Sequence, residues 1–422
     1  MAQVAGLRRG PSVLPDRALL LLRELLSSTA IELLTRAPGF RRLFVARTIS
    51  FTGDSMGLVA LILYVADTTG TGAAVGVLLL ATDFTPSLFS PLVGAVVDRI
   101  EHRRTMVACE LGQAIVVGTI VAVQPANAPL FALVATQSVL ASAFQAASRS
   151  AVVDLVDDAD LEAANSLIGA GTHGLEAAGP LLAALLLRFT SPRGVLAVDV
   201  LTFLVSPILL AALPRVTRGA GRESSMLTEA RAGIAWMWKH RTVRAIALGF
   251  FGLAVFTAVD DVALAFLGRS TFHSSDSGVS LLYASVGIGL LLGFAVLTRR
   301  RPGGATTVAI AGFAAGSVAT IGTGLAPVLA VAFVAQAGRG VGASFIDVGT
   351  TTLVQRCAPP ELRGRVFANL YGAVGAAAAV SYLAGGALVD AWGPRSALVA
   401  GGIGGLVVSI VTFVVTREGQ LS

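Results

Sequence analysis

The chain alternates between long apolar runs and short clusters of charged residues. Most apolar runs reach about twenty residues, enough for a helix to cross the ~30 Å hydrocarbon core of a bilayer. Only helices and closed barrels satisfy their backbone groups in lipid. The pattern therefore predicts an all-α polytopic membrane protein with twelve spans, at 43–66, 74–97, 105–124, 128–148, 166–187, 194–213, 243–267, 278–298, 305–325, 327–346, 369–388 and 396–416.

Composition excludes other classes of protein. The 422 residues are 55% hydrophobic and 13% charged, about half the charged fraction of a soluble domain. The net charge of +6 does not indicate nucleic-acid binding, because the arginines lie in short loops between apolar runs. Cys109 and Cys357 are far apart and predict neither a disulfide nor a metal site. No hydrolase, zinc-protease or phosphate-loop motif occurs, so the sequence does not predict an enzyme.

The arginines predict the orientation of the spans. One side of the predicted bundle carries most of them, whereas the other side carries only Arg188, Arg193, Arg269 and Arg395. The positive-inside rule then predicts a multi-pass protein of the inner (plasma) membrane with both termini in the cytoplasm.

Two polar segments divide the chain. Residues 1–37 precede the first span, and their part 14–36 predicts a cytoplasmic amphipathic helix, with an unstructured leader as the alternative. Residues 214–241 form a polar, basic loop, expected in the cytoplasm between an N-terminal six-helix half (38–213) and a C-terminal half (242–422). A sparse repeat, 144–161 against 345–362, supports two related halves, and we expect both copies in the link after the fourth span of each half.

A short cluster of charged residues separates the second and third predicted spans. The segment 94–104 reads GAVVDRIEHRR. Its G-x-x-x-D-R-x-x-x-R-R pattern resembles the signature loop of the major facilitator superfamily, and more narrowly that of its bacterial drug and siderophore exporters, although His102 stands where Arg is usual. PPELRGRVFANL at 359–370 resembles that branch's motif after span ten. Asp199 stands where the family often has an Asp, and Ala-Gly-Pro at 178–180 resembles part of its antiporter motif.

The resemblance covers about residues 40–415 and implies a major facilitator fold of twelve transmembrane helices in two pseudo-symmetric six-helix halves. It implies proton-coupled efflux of a small amphiphilic organic compound, such as a drug, siderophore or secondary metabolite, by alternating access. An importer or uniporter of this fold, or a non-transporting receptor or scaffold, is the alternative. The expected partners are the substrate and the lipid bilayer, without nucleic acid. The proton gradient is the expected energy source, with no cofactor and no metal; a monomer is expected.

Acidic residues within the apolar runs are candidate proton or substrate sites, because a charge at mid-bilayer costs at least ~2.5 kcal/mol. Asp54 falls midway along span one, and Asp83 lies in span two near Pro86. Either carboxylate could face a central cavity. The alternatives are that Asp54 bonds local backbone or a neighbouring helix, and that Asp83 satisfies a helix break at Pro86.

His173 and Glu176 lie three residues apart in span five. Residues at this spacing share a helix face, so the two side chains can touch. Such a pair can titrate near neutral pH, as a proton-coupling site requires. A polar pair that only joins helices is the alternative.

Asp260 and Asp261 lie in span seven, and we expect at most one of these neighbours to line a cavity while the other meets another helix or the interface. Arg339 lies mid-way along span ten and needs a carboxylate partner in lipid, either Asp54 or one of Asp260 and Asp261. A structural ion pair is the alternative to a transport role.

The signature loop predicts a cytoplasmic gating motif, with a carboxylate among several guanidinium groups, made of Gly94, Asp98, Arg99, Arg103 and Arg104. Positive-inside topology alone explains the arginines but not the acid. The second-half counterpart is Arg363, Gly364 and Arg365. Glu110 and Asp347 lie nearer the cytoplasmic interface, and we expect them to pack against loop arginines.

Overall fold

The computed structural model describes residues 28–97, 99–125, 128–214, 226–299 and 304–421. In these ranges the secondary structure is helical, without strands. The helices are α1 (Ser28–Arg36), α2 (Pro38–Thr69), α3 (Gly72–Val97), α4 (His102–Val123), α5 (Ala128–Leu155), α6 (Leu161–Leu186), α7 (Pro192–Ala211), α8 (Met226–Lys239), α9 (Arg241–Thr257), α10 (Val259–Phe266), α11 (Asp276–Arg299), α12 (Ala305–Leu325), α13 (Leu329–Cys357) and α14 (Pro360–Leu421).

The apolar runs form the predicted bundle of long helices. In the described ranges, nine helical segments are long and apolar enough to cross a membrane. One segment joins α9 and α10 with the π-helical turn Leu267–Thr271. Another lies within α14, which is interrupted by Gly393 at φ 79° between the last two predicted spans. With α3 and α6 the arrangement is consistent with twelve spans, and the prediction of an all-α polytopic fold is confirmed.

Two helices continue well beyond their predicted ends. α5 reaches Leu155 instead of residue 148, and α13 reaches Cys357 instead of residue 346. α5 and α13 as a whole contain most of both repeat copies, so the segment after the fourth span of each half is largely helical. The extensions stay helical because their apolar side chains pack inside the bundle; Ala151 and Val152 of α5 and Val354 of α13 are all buried.

The polar segments outside the spans are partly helical. Of the predicted segment 1–37, the residues up to 27 lie outside the described part, and α1 follows with Leu33 buried against the first half. Of the predicted loop 214–241, residues 215–225 lie outside the described part, and α8 occupies most of the remainder. The segment limits at 37, 213 and 241 stay predictions.

The two ends of the bundle differ. We call the end with α1 and the turns at 99–101, 156–160 and 358–359 the arginine-rich end, and the opposite end the arginine-poor end. Near the arginine-poor end one apolar core joins the two halves, including Leu63 and Leu196 of the first and Val262 and Leu398 of the second. Toward the arginine-rich end, the buried clusters of the described residues belong to one half or the other.

Polar contacts between the halves follow the same division. Ser277 and Ser280 of α11 donate hydrogen bonds of 2.6 and 2.7 Å to carbonyl groups of α6. Asp390 of α14 accepts hydrogen bonds from the backbone of Gly72 and Ala73, at 2.5 and 3.0 Å, at the start of α3. Among the described residues, the hydrogen bonds between halves lie from mid-membrane to the arginine-poor end. Among the described residues the halves are therefore joined at the arginine-poor end, and no contact between them is described toward the other end.

Candidate functional site

A bend in the seventh span sets the position of two acids. α9 ends at Thr257, Ala258 has ψ −11°, and α10 begins at Val259. Asp260 and Asp261 therefore occupy the first turn of α10. The free N–H groups and positive dipole end of a helix stabilise negative charge at this position.

Both carboxylates approach one guanidinium. Arg339 Nε lies 3.4 Å from Asp260 Oδ2, and Arg339 Nη2 lies 3.3 Å from Asp261 Oδ1. Among the partners proposed for Arg339, the structure therefore brings it to the acids of span seven and not to Asp54. The two acids differ in exposure, since the Asp260 side chain is 0% exposed and that of Asp261 is 32% exposed. Only Asp261 is open enough to meet a ligand.

Neighbouring polar groups extend this network. Gln336 Nε2 donates a 2.7 Å hydrogen bond to Asp260, and the hydroxyl group of Tyr283 donates one of 2.8 Å to the carbonyl oxygen of Asp261. Sequence reasoning did not find either residue. The sequence does contain a signal for both residues, since each is a single polar side chain within an apolar span. Such a side chain needs a hydrogen-bond partner in lipid.

The network also joins the two halves. Tyr382 of α14 donates a 2.8 Å hydrogen bond to Asp83 of α3. Asp83 is exposed, whereas Tyr382 is 6% exposed. The charge of Asp261 acts on both residues. Asp83, Asp260, Asp261 and Arg339 thus form one polar network in the middle of the bundle, which we call the central network.

Asp54 lies outside the central network. It is partly exposed on α2, and Gln137 of α5 donates a 3.2 Å hydrogen bond to its Oδ1 atom. No arginine or lysine among the described side chains forms an ion pair with it. An acid held only by a neutral amide can gain or lose a proton without breaking an ion pair.

The remaining candidates of the first half are placed only in part. His173 and Glu176 lie on α6, but their side chains are outside what the structure describes. Asp98 lies outside the described residues, as does the environment of Gly94. In the signature loop, Glu101 contacts both Arg103, at 3.3 Å, and Arg104, at 3.0 Å. Arg99 is exposed in the turn.

The second-half motif lies at the start of α14. Arg363 Nε donates a 3.1 Å hydrogen bond to the carbonyl oxygen of Ala358, across the turn that follows α13. Gly364 has open space around it, and Arg365 lies on the same turn of helix. The contact of Arg363 fastens the α13–α14 turn within its own half.

Glu110 and Asp347, which we expect to pack against loop arginines, have no arginine among their described partners. Glu110 is 0% exposed inside the first half, and neither of its oxygens has a hydrogen-bond partner among the described residues. Asp347 accepts a 3.1 Å hydrogen bond from the hydroxyl group of Tyr371. The expectation is wrong because depth along a helix does not reveal which neighbour its side chain faces.

The acidic side chains of the interior can bind protons or small cations. The two acids of span seven face a single arginine, and the described hydrogen-bond partner of Asp54 is the amide of Gln137. The described interior therefore holds more negative than positive groups. No group of three or more metal-ligating side chains is placed to hold a metal ion in the described ranges. The ligands that such an interior attracts are protons and organic cations.

Comparison with known proteins gives the family of this fold. The model of the Major Facilitator Superfamily matches residues 43–319 and 269–421. The multidrug efflux pump Tap of Mycobacterium tuberculosis is 29% identical over 389 residues, covering 86% of this chain and 90% of Tap. The MFS-type transporter YfiS of Bacillus subtilis, described as uncharacterized, is 23% identical over 391 residues, covering 89% of this chain and 93% of YfiS.

Solved structures show the same architecture. The nucleoside transporter NupG aligns with a TM-score of 0.74 at 13% identity, covering 90% of this chain and 99% of NupG. The inward-facing, unoccupied structure of a bacterial homolog to the human lysosomal transporter Spinster aligns with a TM-score of 0.69 at 14% identity, covering 93% and 98%. The apolar helices of the described ranges, the architecture of the solved structures and the family match agree. The chain belongs to the Major Facilitator Superfamily as a multi-pass membrane transporter.

Proposed function

We propose that this transporter exports a small amphiphilic organic compound, cationic or neutral, in exchange for protons. Asp54 is the observation that carries the proposal: it is a partly exposed acid in the membrane interior with a neutral partner, Gln137. The similarity to Tap, a protein named as a multidrug efflux pump, supports a drug-like substrate. The proton gradient supplies the energy, and the transport step needs no cofactor.

The distribution of arginines supports an orientation of the bundle in the membrane. We place the protein in the plasma membrane with its arginine-rich end in the cytoplasm, as the positive-inside rule requires. Both termini are then cytoplasmic. The halves then open toward the cytoplasm. In this state an exporter would load its substrate and an importer would release one. The direction that we propose therefore rests on the similarity to Tap.

The charges of the interior support exchange of a proton for a substrate. A proton on Asp54 removes a negative charge that a cationic substrate would otherwise neutralise. Because both ligands relieve the same electrostatic cost, each disfavours the other. Proton entry from outside would then release the substrate, and substrate binding from the cytoplasm would release the proton. His173 and Glu176 of α6 remain further candidates for the proton site.

The test uses the full chain in proteoliposomes with an imposed pH gradient and a trapped pH dye. Cationic, neutral and anionic drugs are added in turn. We expect cationic or neutral compounds to drive proton movement in the wild type and Asp54→Asn to abolish it. Asp347→Asn is the matched control, because that acid already has a hydroxyl partner. Facilitated uptake of a drug without proton movement would instead identify a uniporter, and proton flow in the direction of the drug would identify an importer.

If neither Asp54→Asn nor Glu176→Gln changes pH-driven efflux, the assignment of the proton site is wrong. If Glu176→Gln alone abolishes it, the site lies on α6. A chain that moves no compound in any assay would support the receptor or scaffold alternative. Deletion of residues 1–37 would then remove partner binding, whereas a transporter would keep its flux.

A further inference from the structure

Three carboxyl groups lie together inside the first half, away from the central network. They belong to Asp54 on α2, Glu110 on α4 and Asp199 on α7. The charge of Asp54 acts on Glu110, and the charges of Asp54 and Glu110 both act on Asp199. Asp54 is partly exposed, whereas Glu110 and Asp199 are 0% and 1% exposed. Of the three acids, only Asp54 is open to solvent.

Glu110 has no cationic partner among the described side chains. The hydroxyl groups of Ser50 and Ser206 lie near its carboxyl group. Even so, neither Glu110 oxygen has a hydrogen-bond partner within the described part, and the Ser206 hydroxyl is likewise unpartnered. Gln113, three residues further along α4, also has a buried oxygen without a described partner. Buried polar atoms without a partner are uncommon in folded proteins, so those of Glu110 and Ser206 need an explanation.

Asp199 is held directly against α2. The small residues Ser50, Gly53 and Gly57 are all buried on this helix. A methyl group added at Gly57 would come 2.6 Å from Asp199 Oδ2, and one at Gly53 would overlap Oδ1. The side-chain hydrogen bond described for Asp199 is a long one of 3.4 Å from Thr202. The carboxyl group fills a space that only glycines leave open.

These surroundings favour the uncharged form of the acids. An ionised carboxylate buried without a cation costs several kcal/mol. Two neighbouring negative charges raise this cost further. A carboxyl group that keeps its proton avoids both costs and can donate that proton to an unpartnered oxygen nearby. A proton on the carboxyl group therefore suits these surroundings.

We propose that Glu110 and Asp199 form an inner proton site that exchanges protons with Asp54 and supplies a second coupling proton. The proposal rests on the proposed function, because it needs a proton-driven cycle. When the inner site discharges, a proton leaves the Glu110 carboxyl group and the Asp54 carboxylate accepts it. One negative charge then moves from Asp54 to Glu110, so the total charge of the cluster is unchanged.

The groups that face this site come from four helices. The titratable ones are Asp54 on α2, Cys109 on α4 and Asp199 on α7, and α5 contributes the neutral Gln137 beside Asp54. Arg47, the buried arginine of α2, donates a 2.5 Å hydrogen bond to Ser148. No arginine or lysine contacts Glu110 among the described side chains, so protonation is the remaining way to neutralise it.

Infrared spectroscopy of the purified full chain tests whether the proton is present. A carboxyl group that keeps its proton shows a C=O stretch that an ionised group lacks, and this measurement needs no transport. At neutral pH we expect the wild type to show such a band, Glu110→Gln to lose part of it, and Glu110→Asp to retain it. Asp347→Asn is the control for loss of any intramembrane acid. A spectrum unchanged by Glu110→Gln would overturn the proposal.

Proton counting in proteoliposomes tests whether the site takes part in transport. We expect both Glu110→Gln and Asp199→Asn to lower the number of protons moved per substrate, with Glu110→Asp keeping the wild-type number. If the variants lose the infrared band but move the same number of protons per substrate, the proton on Glu110 is only structural and the proposal is wrong. A requirement for Na⁺ in place of the pH gradient would also contradict the inner proton site. A wild type that moves no protons would contradict the proposed function itself, whatever the infrared result.

Discussion

Gln336 donates a 2.7 Å hydrogen bond to the buried carboxylate of Asp260. The first half has a similar pair, since Gln137 of its fourth span donates to Asp54 of its first, at 3.2 Å. Three residues beyond Gln336 stands Arg339, whereas Leu140 stands three residues beyond Gln137. Both halves therefore hold an acid with an amide, but only the second adds a cation. This asymmetry favours a structural ion cluster in the second half and proton binding in the first.

Arg339→Gln should destabilise the protein more than Asp261→Asn. Removing the guanidinium leaves the wholly buried Asp260 without its cation. Loss of one partner from a buried pair costs about 3–5 kcal/mol, whereas Asp261 is 32% exposed and can be solvated. Thermal unfolding in detergent measures both variants. The double variant Asp260→Asn/Arg339→Gln should recover part of the loss, and equal losses for the two single variants would contradict the role given to Asp260.

Asp390→Ala should shift the protein toward the state that is open at the arginine-poor end. Asp390 caps the first N–H groups of α3 from the opposite half, so its contacts exist only while that end is closed. A helix cap is worth about 1 kcal/mol, which corresponds to a roughly fivefold change in population. Spin labels on the exposed Phe189 and Trp392, in a chain without Cys109 and Cys357, would report longer distances. Glu361→Ala, an exposed acid at the other end of α14, should leave the distances unchanged.

Gly76→Ala should block transport without unfolding the protein. A methyl group at Gly76 would overlap the carbonyl oxygen of Tyr382, where α3 crosses α14 between the halves. The conformation closed at the arginine-poor end would then be lost, while each half keeps its own core. Gly118→Ala is the matched control because that glycine faces open space. Substrate flux and thermal stability should both remain normal in the control, and active Gly76→Ala protein would show that this close approach is not required.

The apolar pattern predicts most of the fold because a segment in lipid must satisfy its own backbone hydrogen bonds, which an apolar helix does. It cannot predict where a helix continues beyond the membrane. α5 and α13 do so because they pack against neighbours, and α8 forms within a segment that reads as a polar loop. These differences arise from tertiary contacts, which leave little trace in the hydropathy of one segment.

The pattern also identifies intramembrane charges but not their partners. Asp260 and Asp261 point apart on a regular helix, yet both reach Arg339 because the span bends at Ala258. Glu110 reads as an interfacial acid because it lies only two turns into α4, but it faces α2 and α7 inside the half. Partner choice depends on helix rotation and bending, which a single sequence does not show.

Gly57→Ala should destabilise the first half through Asp199. The added methyl group would lie 2.6 Å from Asp199 Oδ2, too close for an ordinary contact, so the Asp199 side chain or one of the two helices would have to shift. Overpacking of this kind costs about 1–3 kcal/mol. In the background of Asp199→Ala the same change should cost much less, because the space occupied by the carboxyl group is free. A double-mutant cycle on thermal unfolding measures this coupling. Equal costs in the two backgrounds would show that Asp199 does not lie against this face of α2.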